Sequence, residues 1–125
     1  MVARAEVLVC GCLEDDLAVI RNAAEPDGPV VRAVDSPVKV AHHAMADRPV
    51  AVVLGVGPDT LAYLDVIPVI RAIKNDLPVI VVAAEDSLEL ERTARQRGIF
   101  YYLVHPVQRS EARAVLRDVM RSRRR

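Results

Sequence analysis

The feature that most constrains the fold of this chain is the fivefold alternation of apolar, β-rich runs with segments of helical periodicity. The apolar runs are Val7–Cys10, Val30–Val34, Val50–Leu54, Val79–Ala83 and Ile99–Val104. Between them, apolar residues recur at spacings of three and four, as they do on one face of a helix. The pattern predicts an α/β domain in which strands and helices alternate along the chain.

Helix boundaries can be placed from local signals. Ser36 followed by Pro37 is typical of a helix N-terminus, with serine as the cap and proline at the first helical position. Pro68 fits a third helix only if it lies in the first turn. Gly98 is placed to end a fourth helix, and a fifth is expected over residues 110–121.

The strands are continuous apolar runs, which indicates that both faces of the sheet are covered and that the strands are parallel. Right-handed crossovers then predict a flavodoxin-like (βα)5 doubly wound sandwich, an α/β fold with a five-stranded parallel sheet in the order 2-1-3-4-5. Functional chemistry in such a fold lies at the carboxyl ends of the strands. Those ends are Gly11–Cys12, Gly55, Ala83–Ala84 and His105.

Composition narrows the class of protein. The chain has 125 residues, 52% of them apolar, which excludes a disordered tail. Two cysteines do not form a secreted disulfide scaffold, and we see neither a signal peptide nor a membrane-spanning run. We expect a cytoplasmic domain over residues 1–121, followed by a basic tail or the start of a linker over residues 122–125.

The second half of the chain carries a family resemblance. Residues 77–86 form an apolar strand that ends in Ala-Ala, Gly98 ends the next helix, and residues 101–107 read Tyr-Tyr-Leu-Val-His-Pro-Val. This pattern resembles the receiver domains of two-component response regulators, known as CheY-like domains. Residues 48–54 resemble the strand that leads to the phosphate-accepting Asp of that family. The resemblance implies a role in phosphorelay signal transduction.

The resemblance also locates the chemical positions of a receiver, and all of them are replaced here. Receivers bind Mg²⁺ through two acids at the end of the first strand, which match Gly11 and Cys12. The accepting Asp matches Gly55, the Thr or Ser that bonds the phosphoryl group matches Ala83, and the pairing Lys matches His105. Mg²⁺ needs hard oxygen ligands, and phosphoryl transfer needs a nucleophile. We therefore expect a degenerate receiver, or pseudo-receiver, with no catalytic residue, no metal and no cofactor.

Part of the signalling surface of a receiver is retained. Pro106 matches a proline that follows a cis peptide bond in receivers, and Tyr102 matches the aromatic residue that changes position when receivers switch. Arg109, Arg113 and Arg117 recur every four residues and form one stripe on the fifth helix. We expect these residues to contact a protein partner or a second copy through the face formed by helix four, strand five and helix five.

Charge is distributed unevenly along the chain. Residues 1–91 contain 15 acidic and 7 basic residues, and residues 92–125 contain 2 acidic and 10 basic residues. An acidic body would repel phosphates, so we do not expect nucleic acid to be the partner. No membrane partner is expected.

Three other interpretations stay open at this stage. Displaced carboxylates could rebuild an acceptor site, the candidates being Glu14, Asp15, Asp16 and Asp59. Small residues at the strand ends could leave room for a small ligand. Cys10 and Cys12, predicted to share one face of a strand, could supply a metal or redox site with His105, or pack as small apolar residues.

Overall fold

The computed structural model describes residues 4–123 and contains one five-stranded parallel sheet. Its strands are β1 (Glu6–Cys10), β2 (Val30–Ala33), β3 (Ala51–Val56), β4 (Val79–Ala83) and β5 (Tyr101–Val104). They lie in the order β2-β1-β3-β4-β5. The predicted fold class and strand order are therefore confirmed.

Five α-helices and one 3₁₀ helix connect the strands. They are α1 (Glu14–Ala24), α2 (Pro37–Ala46), the 3₁₀ helix Pro58–Asp65, α3 (Val66–Ile73), α4 (Leu88–Gln96) and α5 (Arg109–Arg123). Helices α1 and α5 pack on one face of the sheet, and α2, α3 and α4 pack on the other. Among the described residues no helix is long and apolar enough to cross a membrane.

The predicted helix boundaries have the expected local chemistry. The Ser36 hydroxyl accepts a hydrogen bond from the Lys39 amide at 3.3 Å, which caps α2. Gly98 follows α4 with a φ of +84°, a conformation that favours glycine. Pro68 is the third residue of α3 and lies in its first turn. Amide groups in the first turn have no hydrogen-bond partner within the helix, so the lack of an N–H in proline costs nothing there.

The sheet itself is the centre of the core. Every residue of β3 and β4 is buried, because helices cover both faces of these central strands. Each fully buried Val, Leu or Ile contributes roughly 1.5–3 kcal/mol of transfer free energy. The central strands are therefore rigid supports for the residues at their carboxyl ends.

Several boundaries differ from the sequence-based expectation: β2 and β5 are shorter than the predicted runs Val30–Val34 and Ile99–Val104. We predicted a loop from Gly55 onward, but β3 continues through Gly55 to Val56 because both residues pair with β4. Helix α5 ends at Arg123 rather than Arg121, so the first half of the predicted tail is helical. The rest of that tail, Arg124 and Arg125, lies outside the described residues.

Candidate functional site

The carboxyl edge of the sheet brings the predicted site positions together. In the register of the sheet, Cys10 pairs with Leu54 and Val56 pairs with Ala83. The His105 amide donates to the Ala83 carbonyl at 2.8 Å. The five positions that match a receiver's chemical groups are thus neighbours, namely Gly11, Cys12, Gly55, Ala83 and His105.

Gly11 and Gly55 meet backbone to backbone. Gly11 has a φ of +85°, and a Cβ there would lie 2.5 Å from the Gly55 carbonyl oxygen. A Cβ on Gly55 would lie 2.5 Å from the Cα of Cys12. Both separations are shorter than van der Waals contact allows. The turn between β1 and α1 therefore occupies the space that a side chain at position 55 would need.

Tyr63, in the 3₁₀ helix, covers the same turn. Its ring lies 2.9 Å from the position that a Cβ on Gly11 would take. The cavity left at this edge has a volume of only about 10 Å³, which admits at most one water molecule. The expectation that small residues leave room for a ligand here is therefore wrong, because main chain and Tyr63 fill the space. Sequence reasoning had not identified Tyr63 as part of this site.

Asp16 is the polar centre of the site. It is only 1% exposed, although it lies in the first turn of α1. One carboxylate oxygen accepts a hydrogen bond from Nδ1 of His105 at 2.8 Å, and the other accepts from the Val107 amide at 3.0 Å. These bonds attach the first turn of α1 to the loop between β5 and α5. We refer to Asp16, His105 and the Val107 amide as the Asp16 clamp.

The thiol of Cys12 is not suited to bind a hard cation. Burial raises the pKa of Cys12 to about 12, and the negative charges of Asp16 and Cys10 add to the effect. The thiol is therefore neutral at physiological pH, and a soft sulfur ligand does not match Mg²⁺. Gly11 and Gly55 offer no side-chain oxygen. The residues at this edge do not fit the Mg²⁺ ion that the receiver resemblance implies.

The two cysteines do not share a face, contrary to the prediction. Cys10 packs in the core beneath α2, α3 and α4, whereas Cys12 packs against the core beneath α1 and α5. The strand ends at Cys10, and the positive φ of Gly11 breaks the alternation of side chains. Within residues 4–123 no three His, Cys, Asp or Glu side chains are grouped so that they could hold a metal ion.

The four displaced carboxylates differ in their surroundings. Glu14, Asp15 and Asp59 are exposed, and Asp16 points into the clamp. Asp59 lies in the 3₁₀ helix, whose first residues are fixed by a hydrogen bond from the Gly57 amide to the Thr60 hydroxyl at 2.8 Å.

The retained residues of strand β5 lie on opposite sides of the sheet. Tyr102 packs against the core beneath α4 and donates from its hydroxyl to the Ser87 carbonyl at 3.3 Å. Tyr101 faces α5 and donates to Asp118 at 2.7 Å. The peptide bond between His105 and Pro106 is cis, as the resemblance implies. Tyr102 is thus half-buried and bonded to the start of α4.

The arginines predicted to act with Tyr102 lie on the side of α5 that faces α1 and the loop after it. Arg109 donates to the Asn22 side chain at 2.7 Å, across the contact between α1 and α5. Arg113 and Arg117 line a hollow beside the loop that follows α1, residues 25–29. Tyr102 faces the α4 side of the sheet, and the shared interface predicted for it and these arginines stays a prediction.

Comparison with known proteins places this arrangement in context. No model of a known protein family matches the chain. The transcriptional regulatory protein PrrA of Mycobacterium tuberculosis is 31% identical over 118 residues, which cover 94% of this chain and 50% of PrrA. The response regulator MprA of Mycobacterium ulcerans is 30% identical over 112 residues, covering 87% of this chain and 48% of MprA. The chain thus spans about half the length of these relatives.

The fold also matches solved structures. A response regulator from Thermotoga maritima superposes with a TM-score of 0.83 at 18% identity, covering 95% of this chain and 99% of the other. A signal receiver domain from Pseudomonas fluorescens Pf-5 superposes with a TM-score of 0.82 at 16% identity, covering 98% and 100%. At these identities the superpositions establish the fold alone.

Proposed function

Because the relatives PrrA and MprA are response regulators and the fold is that of solved receiver domains, we propose that this chain is a pseudo-receiver of two-component signalling that acts through protein contacts without accepting a phosphoryl group. The observation that carries this proposal is the backbone contact at Gly55. In the matching position of a receiver, an Asp carboxylate attacks the phosphorus atom. Here the main chain of Gly11 and Cys12 occupies the space of that side chain.

The chemistry of the remaining carboxylate supports the same conclusion. Asp16 is the one acid that lines the residual cavity, and both of its oxygens already accept hydrogen bonds. A carboxylate held in this way is a poor nucleophile, because attack would require it to leave two partners in a buried site.

The Asp16 clamp occupies the position at which the resemblance places the contact to the phosphoryl group. The resemblance assigns His105 to the Lys that pairs with the phosphoryl group. In this chain His105 is bonded to a carboxylate of the protein itself, and the adjacent Val107 amide is bonded to the same group. We infer that the loop before α5 is held permanently in one state, so that its surface is always available to a protein partner in the cytoplasm.

An amide NMR titration tests the proposal on the protein as it exists. Mg²⁺ and beryllofluoride, a phosphoryl mimic, are added to the labelled protein. We expect the amide signals of Gly11, Gly55, Ala83 and His105 to stay in place, since the acid that lines the cavity, Asp16, is already bonded to His105 and Val107. Signals that move at these residues, with shifts that extend to Tyr102, would overturn the proposal.

A matched variant sharpens the test. Gly57 is two residues beyond Gly55, and a Cβ there would lie 3.3 Å from the Cβ of Ala84, so a side chain can be accommodated by a small adjustment. Gly57→Asp adds a carboxylate to the same edge without the clash at position 55. Incubation with acetyl phosphate and intact-mass measurement should show no phosphorylation of either protein, because no acids at Gly11 and Cys12 hold the metal.

A further inference from the structure

A cleft lies at the amino edge of the sheet, opposite the edge that carries the pseudo-receiver positions. Its walls come from the start of β1, from residues 47–50 before β3, from residues 74 and 76–78 before β4, and from the end of α5. Its volume is about 520 Å³, against about 10 Å³ for the cavity beside Gly55. Small-molecule sites in proteins commonly have volumes of roughly 300–1,000 Å³. The room for a small ligand is therefore at the amino edge of the sheet.

Three basic side chains line this cleft without a carboxylate partner. They are Arg4, Arg48 and Lys74. In the described part of the chain none of them takes part in a salt bridge. Arg4 donates a hydrogen bond to the Gly28 carbonyl at 2.6 Å, whereas Arg48 is exposed and Lys74 is half-buried. The cleft therefore offers several positive charges to a ligand that carries negative charge.

Two of the three acidic side chains that line the cleft are already engaged. Glu6 and Asp47 each accept a hydrogen bond from Arg32 at 3.2 Å. The third acid, Asp76, is exposed, and among residues 4–123 it forms no salt bridge. Three available cations thus face one available carboxylate. This balance favours a ligand with two negative charges and a hydrogen-bond donor for the carboxylate.

Arg48 has a backbone conformation that arginine rarely adopts. Its φ is +51°, and it directly follows Asp47, the C-cap of α2. Glycine is the usual residue in this position and conformation, because it has no Cβ to clash. The helix dipole favours a basic residue near the end of a helix, but the last turn of α2 could carry that charge without a positive φ. The conformational cost is explained if the Arg48 side chain binds a ligand in the cleft.

Apolar residues form the other walls of the cleft. Pro49 and Leu77 are buried, and Val50 and Pro78 are half-buried. Inorganic phosphate would contact only the basic side chains, whereas an organic phosphate ester would also cover these walls. A ligand that fills the cleft therefore combines a phosphate group with a ring or chain of carbon atoms.

We propose that this cleft binds a phosphate monoester of the size of a nucleoside monophosphate. Arg48 and Lys74 bind the phosphate, because guanidinium and ammonium groups form strong charge-assisted hydrogen bonds with its oxygens. Asp76 accepts a hydrogen bond from a hydroxyl or amino group of the ester. The negative ends of α2 and α3 lie at the same edge, so we expect the affinity to be modest. The inference goes beyond the proposed function and uses no residue of the carboxyl edge.

Isothermal titration calorimetry on the full chain tests the inference. AMP, GMP, CMP and UMP are each titrated at low salt, and the corresponding nucleosides and inorganic phosphate serve as comparison ligands. We expect at least one of the four monophosphates to bind with a stoichiometry of one. It should bind roughly tenfold or more tightly than its nucleoside and than inorganic phosphate, because each of these lacks part of the contacts. Absence of binding for all four, or equal affinity for either comparison ligand, would overturn the inference.

Arg48→Gly separates a ligand-binding role of this residue from a structural one. We expect the affinity for the monophosphate to fall by roughly tenfold or more. The urea midpoint should stay the same or rise, because glycine adopts the positive φ of this position without a clash. A residue retained only for the fold would give the opposite result, a lower urea midpoint with unchanged affinity, and that result would overturn the inference.

Lys74→Gln should also weaken binding by roughly tenfold. Its matched control is Arg21→Gln, which removes a basic residue from the last turn of α1 that does not line the cleft. The control should leave the affinity unchanged, and circular dichroism verifies that both variants are folded. Equal losses in the two variants would mean that the ligand responds only to net charge, and the inference would fail.

Amide NMR locates the bound ligand. The monophosphate that binds most tightly should shift the signals of Leu77 and Ser122, which line the cleft, and leave those of Gly55 and His105 in place. Shifts confined to Gly55 and His105 would overturn the inference. The titration with beryllofluoride concerns the carboxyl edge alone, so this inference and the proposed function fail separately.

Discussion

Two histidine–aspartate pairs in this molecule have nearly the same geometry and different surroundings. His105 and Asp16 are 2.8 Å apart at the carboxyl edge of the sheet, and the Asp16 side chain is 2% exposed. His43 and Asp47 are 2.6 Å apart at the end of α2, and the Asp47 side chain is 39% exposed. The shorter contact belongs to the more exposed pair.

The comparison shows that burial, rather than distance, decides how much such a pair contributes to the stability of the fold. Around Asp47, water competes for the carboxylate and screens its charge, so the pair adds little to stability. Asp16 is almost completely buried, so bulk water cannot replace a lost partner and removal of either group leaves a buried polar atom unsatisfied. The first pair also joins elements distant in sequence, whereas the second spans one helical turn.

The largest expected effect comes from disturbing the backbone contact beside the buried pair. Gly55→Ala places a Cβ 2.5 Å from the Cα of Cys12, so the turn that leads into α1 must move and Asp16 with it. We expect the free energy of unfolding to fall by about 3 kcal/mol or more. Urea denaturation measures it.

Gly57→Ala is the control for that change. The new Cβ would lie 3.3 Å from the Ala84 side chain, and the loss of backbone freedom in the unfolded state partly offsets the contact. We expect a change within about 1 kcal/mol. If the two variants have equal stability, the proposed packing of the turn on β3 is wrong.

The next largest effect is the difference in the free energy of unfolding between variants of the two pairs. Asp16→Ala removes the acceptor of two hydrogen bonds in a buried site and should lower the free energy of unfolding by about 3 kcal/mol. Asp47→Ala removes an exposed carboxylate of the same type, and its urea midpoint should stay close to that of the wild type. Similar losses in the two variants would contradict the conclusion that burial decides.

The smallest effect is the pH dependence of the stability that the exposed pair, His43 and Asp47, contributes. The hydrogen bond with His43 lowers the pKa of Asp47 below its usual value of 3.8, and the charges of His43 and Arg32 act in the same direction. A carboxyl whose pKa is lowered by folding stabilises the protein above its unfolded pKa and loses that contribution as the pH falls through the folded pKa.

The urea midpoint of the wild type should therefore exceed that of Asp47→Asn by a small amount between neutral pH and about pH 5. The difference should disappear below the usual pKa of 3.8. A difference that persists undiminished well below that pKa would show that the protein is not stabilised by the carboxylate form of Asp47.

The sequence contained a signal for the buried position of Asp16 that the charge pattern concealed. Glu14, Asp15 and Asp16 form an acidic run, which is typical of an exposed first turn near the positive end of a helix dipole. Helical spacing, however, places Asp16 in line with Ile20, Ala23 and Ala24, the other buried residues of α1. Spacing could have identified Asp16 as a buried residue, but it could not have identified His105 as its partner.

Other features depended on contacts that no local pattern reveals. The positive φ of Gly11 and the packing of Tyr63 above it close the site, and both result from the approach of β1, β3 and the 3₁₀ helix. The packing of Tyr102 and of α5 on opposite faces of the sheet depends on which face each helix covers. Strand alternation and helical stripes describe one element at a time, so they cannot establish these relations.

The sequence by itself determined the order of strands and helices, the caps at Ser36 and Gly98, and the absence of an acid at position 55, because these follow from local periodicity, backbone preference and residue identity. It also displays His43 and Asp47 four residues apart, the spacing of neighbours on a helix. Only the tertiary structure joined Asp16 to His105, which are 89 residues apart, and pressed the turn at Gly11 onto Gly55. The physical reason is that these contacts form only when the parallel sheet brings the ends of distant strands to one edge.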